Sequence, residues 1–347
     1  MYFRKMTALA LVGFCIPAMA KLPYYPIQFP RDEGAHHANV PYPVNALTEW
    51  WYYNGKLTST KGRRLGYFVA AFHLNIPFNA KSESIQQSVL MVQITDIDNQ
   101  KVYGKTTIYP EDSVNFSTDA LNIKLADDFS LKQAGDTYYV KDTTVTDNGP
   151  TLKFDLAMTP TRAPLLVGKS GLIDMWDDTN SYYYSNTRLQ TMGTVQVGDE
   201  VFNIDTETSA SWMDHQWGDF IPTPDKAQWI WSSAQLDNGM DISVFELMDS
   251  QTGQPLWKLG NIIMPDNSRS YTTRINITPS LARAGGSPYP LTYRIIVSPL
   301  NLQMELKAMA PEQSANGFWE GIHQVTGLYN GKVVKGFSFV ENTVKYE

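Results

Sequence analysis

The chain has 347 residues, 43% hydrophobic and 18% charged, with a formal net charge of −7. That length and balance support a sizeable core and exclude a disordered chain. The acidic sign, without any Lys/Arg cluster, argues against a nucleic-acid partner.

The first residues, "MYFRKMTALALVGFCIPAMA", place Arg4 and Lys5 before an apolar run and a small-x-small site at Ala18-Met19-Ala20. This pattern reads as a secretory signal peptide over residues 1–20, too short for a membrane span, so an exported, periplasmic or secreted chain without a transmembrane segment is expected. Phe14 precedes the lone cysteine, Cys15, where a lipoprotein needs a small residue. Cleavage after Ala20 removes Cys15 together with Arg4 and Lys5, taking the net charge from −7 to −9. The mature chain then has no disulfide, thiolate metal site or cysteine nucleophile.

Residues 21–46 form a Pro/Tyr-rich lead-in, expected to wrap over a surface in extended form. Strand-like hairpins follow: "EWWYYNGKLTSTKGRRLGYFVAAFHL" turns at Lys61-Gly62, and "SVLMVQITDIDNQKVYGKTTIY" at Asp98-Asn99. Further breaks stand at Asp147-Asn148-Gly149-Pro150 and at Gly198-Asp199. No long segment has helical periodicity, so the chain reads as all-β, of the barrel or sandwich kind. "EWWYYNGKL" (49–57) resembles "QWIWSSAQL" (228–236), each followed by a polar turn and an apolar strand. The repeat predicts two tandem β domains, 47–218 and 219–347, joined near the Gly/Pro-rich "GDFIPTPDKA".

Three stretches carry a resemblance: "TEWWYYNGKL", "SYYYSNTRLQTMGTVQVGDEVFNIDTETSASWMDHQWG" and "FWEGIHQVTGLYNGKVVKGFSFVENT". Together they resemble the lipocalin-like family of AttH and the carotenoid 1,2-hydratases (hydroxyneurosporene synthases), with "SWMDHQWG" the most specific part. The resemblance spans almost the whole mature chain. It implies two tandem lipocalin-like antiparallel β-barrel domains. Family members include exported proteins without a known activity, and hydratases and cyclases that act on hydrophobic unsaturated molecules. The resemblance also hints at envelope lipid handling beside an ABC-type exporter.

Hydration of an isolated C=C bond needs an acid and an aromatic wall that stabilises a carbocation. Asp214 and His215, with Trp212 and Trp217, are the residue types for that work. In an ideal strand His215 and Trp217 share one face and Asp214 takes the other, so the two candidate catalytic groups line different surfaces. The hydratase branch needs a further acid downstream, where this chain has Ser232 and Ser233 in "WIWSSAQLDNGMD". The structural alternative makes the tryptophans a barrel plug and His215 a strand bridge. Glu49, beside Trp50 and Trp51, needs a partner, and Arg188 is the candidate for a buried clasp. His73 on an apolar strand, Tyr182 and Tyr184 behind Asp177 and Asp178, and Trp231 complete the candidate ligand-binding set. His36-His37 lies in the lead-in and the other histidines are far apart, so no metal-ligand spacing is present and no cofactor is expected.

Two readings from different classes remain, with a third behind them. The first, which the sequence favours, is an exported binding protein that holds a lipid or isoprenoid in an aromatic cavity. The second is a cofactor-free hydratase or isomerase using His215 or Asp214. A carbohydrate-binding module, with exposed Trp and Tyr as a sugar platform, is the third.

Overall fold

A computed structural model describes residues 22–36, 46–77, 84–147, 149–175, 179–220, 227–280 and 287–346. The proposed signal peptide, His37, Asp177 and Asp178 lie outside them. Among the described residues, no helix is long and apolar enough to cross a membrane.

Two antiparallel sheets, each nearly closed, make two tandem barrels. In the first, the Thr48–Thr58 strand pairs with Arg64–Pro77 on one side and with Ala210–Gly218 on the other. In the second, Ala227–Leu236 pairs likewise with Asp241–Asp249 and with the last strand, Lys332–Asn342. Each barrel thus brings its first strand against its last long one. The two halves of the sequence repeat are these two first strands.

Where one face meets solvent, alternation is clean. Leu302, Met304 and Leu306 are buried, while Gln303, Glu305 and Lys307 between them are exposed. The Thr48–Thr58 and Ala210–Gly218 strands are buried or half-buried at every position, polar residues included, because both of their faces are covered. Glu49, Trp51 and Tyr53 fill the first lumen, with Met213, His215 and Trp217 beside them. Trp50, Tyr52 and Trp212 face the second barrel and meet Trp231, Ile322 and Phe339. Polar ties cross the same interface: Gln235 Nε2 donates to the Thr187 and Ser211 carbonyls, and Gln93 Nε2 to that of Glu320.

The lead-in differs from its expected place on a surface. Residues 31–36 enter the end of the first barrel, burying Asp32, Glu33 and His36. Upstream, the Tyr182 hydroxyl donates to the Pro23 carbonyl and accepts from the Tyr25 amide. Buried polar groups need partners, and the lumen offers them here.

One glycine is fixed by close approach. Gly193 has φ +122°, and a Cβ there would lie 2.0 Å from the Asp155 carbonyl oxygen. Gly193→Ala is expected to cost about 2 kcal/mol or more, read as a lower urea midpoint at constant m.

In the second lumen, His323 Nδ1 donates to the Gly321 carbonyl at 2.8 Å, its ring lying against Tyr293 and Trp319. Burial lowers its pKa from 6.5 to about 4, against the smaller raising effect of that hydrogen bond. The unfolded chain therefore binds a proton that the native chain refuses. This contribution is intact above pH 6.5 and lost as pH falls towards 4, amounting to about 3 kcal/mol. His323→Gln should flatten the acid limb of a stability–pH profile over that window.

Candidate functional site

Strand alternation divides the polar residues of "SWMDHQWG" between two places. His215 points into the first lumen. Its Nε2 lies 2.8 Å from Glu49 Oε1, and the same oxygen is 2.8 Å from His36 Nδ1. Glu49 Oε2 accepts the His36 backbone N–H at 2.8 Å. His36 stacks on Trp217, with centroids 4.0 Å apart, and His215 on Trp51, at 4.6 Å. His36 Nε2 faces Asp32 Oδ1 at 3.3 Å, and His215 Nδ1 faces the Tyr184 hydroxyl at 3.2 Å.

The charges in this clasp follow from its contacts. Burial opposes a cation at His36, but the Glu49 and Asp32 carboxylates outweigh it and raise its pKa. Burial also opposes charge at Glu49, yet the two histidines hold its pKa down at about 2. His215 has burial as its dominant influence and falls to about 4, so it is neutral. A neutral His215 donates from Nε2 to Glu49 and turns Nδ1 towards the Tyr184 oxygen. The Tyr184 hydroxyl donates to Glu33 Oε2 at 2.5 Å. Burial raises the Glu33 pKa, against the lowering bonds of Tyr138 and Tyr184.

Asp214 faces the other way, towards the second barrel. It accepts from Tyr183 at 2.7 Å, Ser185 at 2.5 Å and the Trp212 indole at 2.7 Å. Burial raises its pKa to about 6, these three donors notwithstanding. Tyr183 also lines a crevice between the barrels, with Gln216, Ser243, Phe245, Trp257 and Asn261.

Two carboxyls stand nearby on the second barrel. Glu320 and Glu341 are direct cross-strand partners, and Glu341 stands opposite Trp231. Tyr52 donates to Glu320 Oε2 at 2.7 Å, and the Trp229 indole donates to Glu341 Oε1. Burial pushes Glu320 well above the ordinary range, and the charge of Glu341 adds to the shift. Burial pushes Glu341 to about 7, Trp229 resisting and the Asp214 charge assisting. Glu320 is fully buried, whereas Glu341 is half-buried, beside half-buried Trp229. Trp50, Phe72, Met91, Phe245, Met309 and Phe337 are the other half-buried apolar groups of this cluster. The arrangement can deliver a proton to, or take one from, an apolar molecule between the barrels.

The sequence-selected residues separate accordingly. His215, Trp217, Tyr182 and Tyr184 are enclosed in the first lumen, as is His73, against Phe116 and opposite Glu49 in the register. Trp212 and Trp231 lie between the barrels, 6.3 Å apart. The Glu49–Arg188 clasp is corrected. Glu49 faces the lumen and holds two histidines, while Arg188, beside a register shift, points outward to Asp241. Arg188 Nη2 lies 2.6 Å from Asp241 Oδ1, and Thr187 and Arg162 complete the Asp241 contacts. Ser232, where an acid was looked for, bonds Ser338; the carboxyl stands one residue along the partner strand, at Glu341. Glu320 and Glu341 were missed. Their signal was a glutamate in each of two apolar strands, "FWEGIHQV" and "GFSFVENT". The described tryptophans are all buried or half-buried, which argues against a flat sugar platform.

The fold and these sites define a two-barrel, lipocalin-like protein with carboxyls buried at its inter-barrel face. Residues 20–343 match the AttH-like family, and the chain belongs to that family. It is 25% identical over 213 residues to the dehydratase asqC of Emericella nidulans, covering 57% of this chain and 60% of that protein. The crystal structure of an AttH from Nitrosomonas europaea has a TM-score of 0.75 at 21% identity, covering 94% of this chain and 100% of that one. Kievitone hydratase from Nectria haematococca has a TM-score of 0.67 at 17% identity, covering 96% and 98%. At those identities the two structures establish the shared fold.

Proposed function

We propose that the protein is a cofactor-free hydro-lyase, adding water to or removing it from a C=C bond of a hydrophobic small molecule held between the barrels. The carrying observation is the Glu320–Glu341 carboxyl pair, bound by Tyr52 and Trp229 in an aromatic setting with Glu341 half-buried. In the hydration direction the Glu341 O–H bond breaks and its proton forms a C–H bond with one alkene carbon. The other carbon becomes cationic against the faces of Trp229 and Trp231. Water attacks that carbon and returns a proton to the Glu341 carboxylate, restoring the acid. Dehydration is the reverse. Tyr183, its own proton on Asp214, offers an oxygen that can accept from a substrate hydroxyl or the water. The names of the dehydratase and the hydratase among the relatives support this reading.

The first lumen is filled by its own side chains, which leaves the inter-barrel face beside half-buried Glu341 and Trp229 as the place for a ligand. A lipid or isoprenoid carrier is the competing outcome. The test is incubation of purified protein with isoprenoid and unsaturated lipid fractions in ¹⁸O-water, followed by mass spectrometry. Products gaining or losing one water are expected, with rates about 10²–10⁴-fold lower in Glu341→Gln. The acid form is required, so hydration should slow as pH rises through about 7. A co-purifying molecule that stays unchanged would identify a carrier, with an envelope exporter as the partner to test next. Equal rates in wild type and Glu341→Gln would remove Glu341 from the chemistry. Export is proposed alongside, and N-terminal sequencing of the mature protein should begin at Lys21.

A further inference from the structure

We propose that His36, Glu49 and His215 bind one divalent ion of the zinc class inside the first barrel. This site is separate from the inter-barrel carboxyls and does not depend on the proposed lyase reaction.

The three side chains are buried, and one donor atom from each lies within 4.8 Å of the others. Two imidazole nitrogens and a carboxylate oxygen are the donors zinc takes in non-thiolate sites, at about 2.0–2.2 Å. Tetrahedral ligands at those lengths stand about 3.4 Å apart. The two separations from Glu49 Oε1, 2.8 Å to each nitrogen, are hydrogen-bond lengths and need to open by about half an ångström. The two nitrogens, within 4.8 Å of each other, come to the tetrahedral spacing by ring rotation. The ion takes the place of the two protons now shared with that oxygen.

The surroundings are those of a ligand set rather than a plain clasp. Metal-bound imidazoles are oriented by an oxygen on their second nitrogen. His36 has Asp32 there, itself held by Arg31 Nε at 2.8 Å and Nη2 at 2.7 Å. His215 has the Tyr184 oxygen, which can accept from Nδ1 while its own O–H turns to Glu33. Trp217 and Trp51 hold the two ring planes. With the ion bound, carboxylates Asp32, Glu33 and Glu49 balance the ion and Arg31. A lumen that needed only filling would do better with apolar side chains than with these desolvated groups. The donors come from the lead-in and from two strands distant in sequence, so an ion here pins the lead-in into the barrel.

The test uses untagged full-length mature chain, unfolded with chelator and refolded with or without Zn²⁺ or Co²⁺, because the closed lumen admits an ion most readily during folding. About one zinc per chain should be retained after gel filtration, with Tm raised by about 5 °C or more. The Co²⁺ form should show visible absorption that the metal-free protein lacks and that His36→Gln removes. His36→Gln and Glu49→Gln should each lower retention at least tenfold. Should either variant fail to refold, the wild-type stoichiometry and cobalt spectrum still decide. Refolded wild type that retains no zinc, or zinc retained equally by folded variants, overturns the site. Neither result bears on Glu341, whose assay is separate.

Discussion

In metal-free protein, Glu49→Ala is expected to lower the unfolding free energy by about 3–5 kcal/mol, the cost of breaking a buried ion pair from one side. His36 loses the oxygens facing its ring Nδ1 and backbone N–H, and His215 loses its Nε2 partner. The His36 imidazolium keeps only the Asp32 carboxylate, at 3.3 Å, against the burial that opposes its charge. Urea unfolding at pH 7 should show the loss as a reduced midpoint. Glu49→Gln, which keeps one acceptor oxygen, should lose clearly less. Equal stability of Glu49→Ala and wild type would mean that the clasp contributes nothing to holding the lead-in.

The second large effect concerns the joint between the barrels. Arg188→Ala should cost about 3 kcal/mol and split a single calorimetric transition into two. Asp241 is fully buried, and Arg188 gives it a contact at 2.6 Å while also donating to the Leu236 carbonyl at 3.2 Å. Arg162 at 3.1 Å and the Thr187 hydroxyl remain, so the carboxylate is weakened rather than abandoned. Each barrel retains its own apolar cluster, which is why separation rather than collapse is expected. A single transition at an unchanged midpoint would show that the aromatic contacts alone couple the two units.

Hairpin turns and alternation made the all-β class legible, because a two-residue period and Gly/Asn/Asp breaks are local properties. The repeat of "EWWYYNGKL" in "QWIWSSAQL" located the first strand of each barrel. Alternation also separated His215 from Asp214 correctly, since neighbouring strand residues take opposite faces. Partners were another matter. Glu49 meets His36 and His215 across 13 and 166 residues, and no spacing rule links them. Arg188 was paired with Glu49 on charge alone, but a register shift turns it outward to Asp241.

The inter-barrel acids follow the same logic. A glutamate in an apolar strand is visible in sequence, yet only the pairing of the last two strands puts Glu320 opposite Glu341. Only the docking of the second barrel supplies Tyr52 and the surrounding aromatic groups. By itself, then, the sequence determined the class, the tandem arrangement and which face each motif residue takes, all properties of neighbours along the chain. The tertiary structure decided which carboxylates are paired, which are pushed towards holding a proton and which histidines converge. Desolvation and charge contacts depend on segments that chain order leaves far apart.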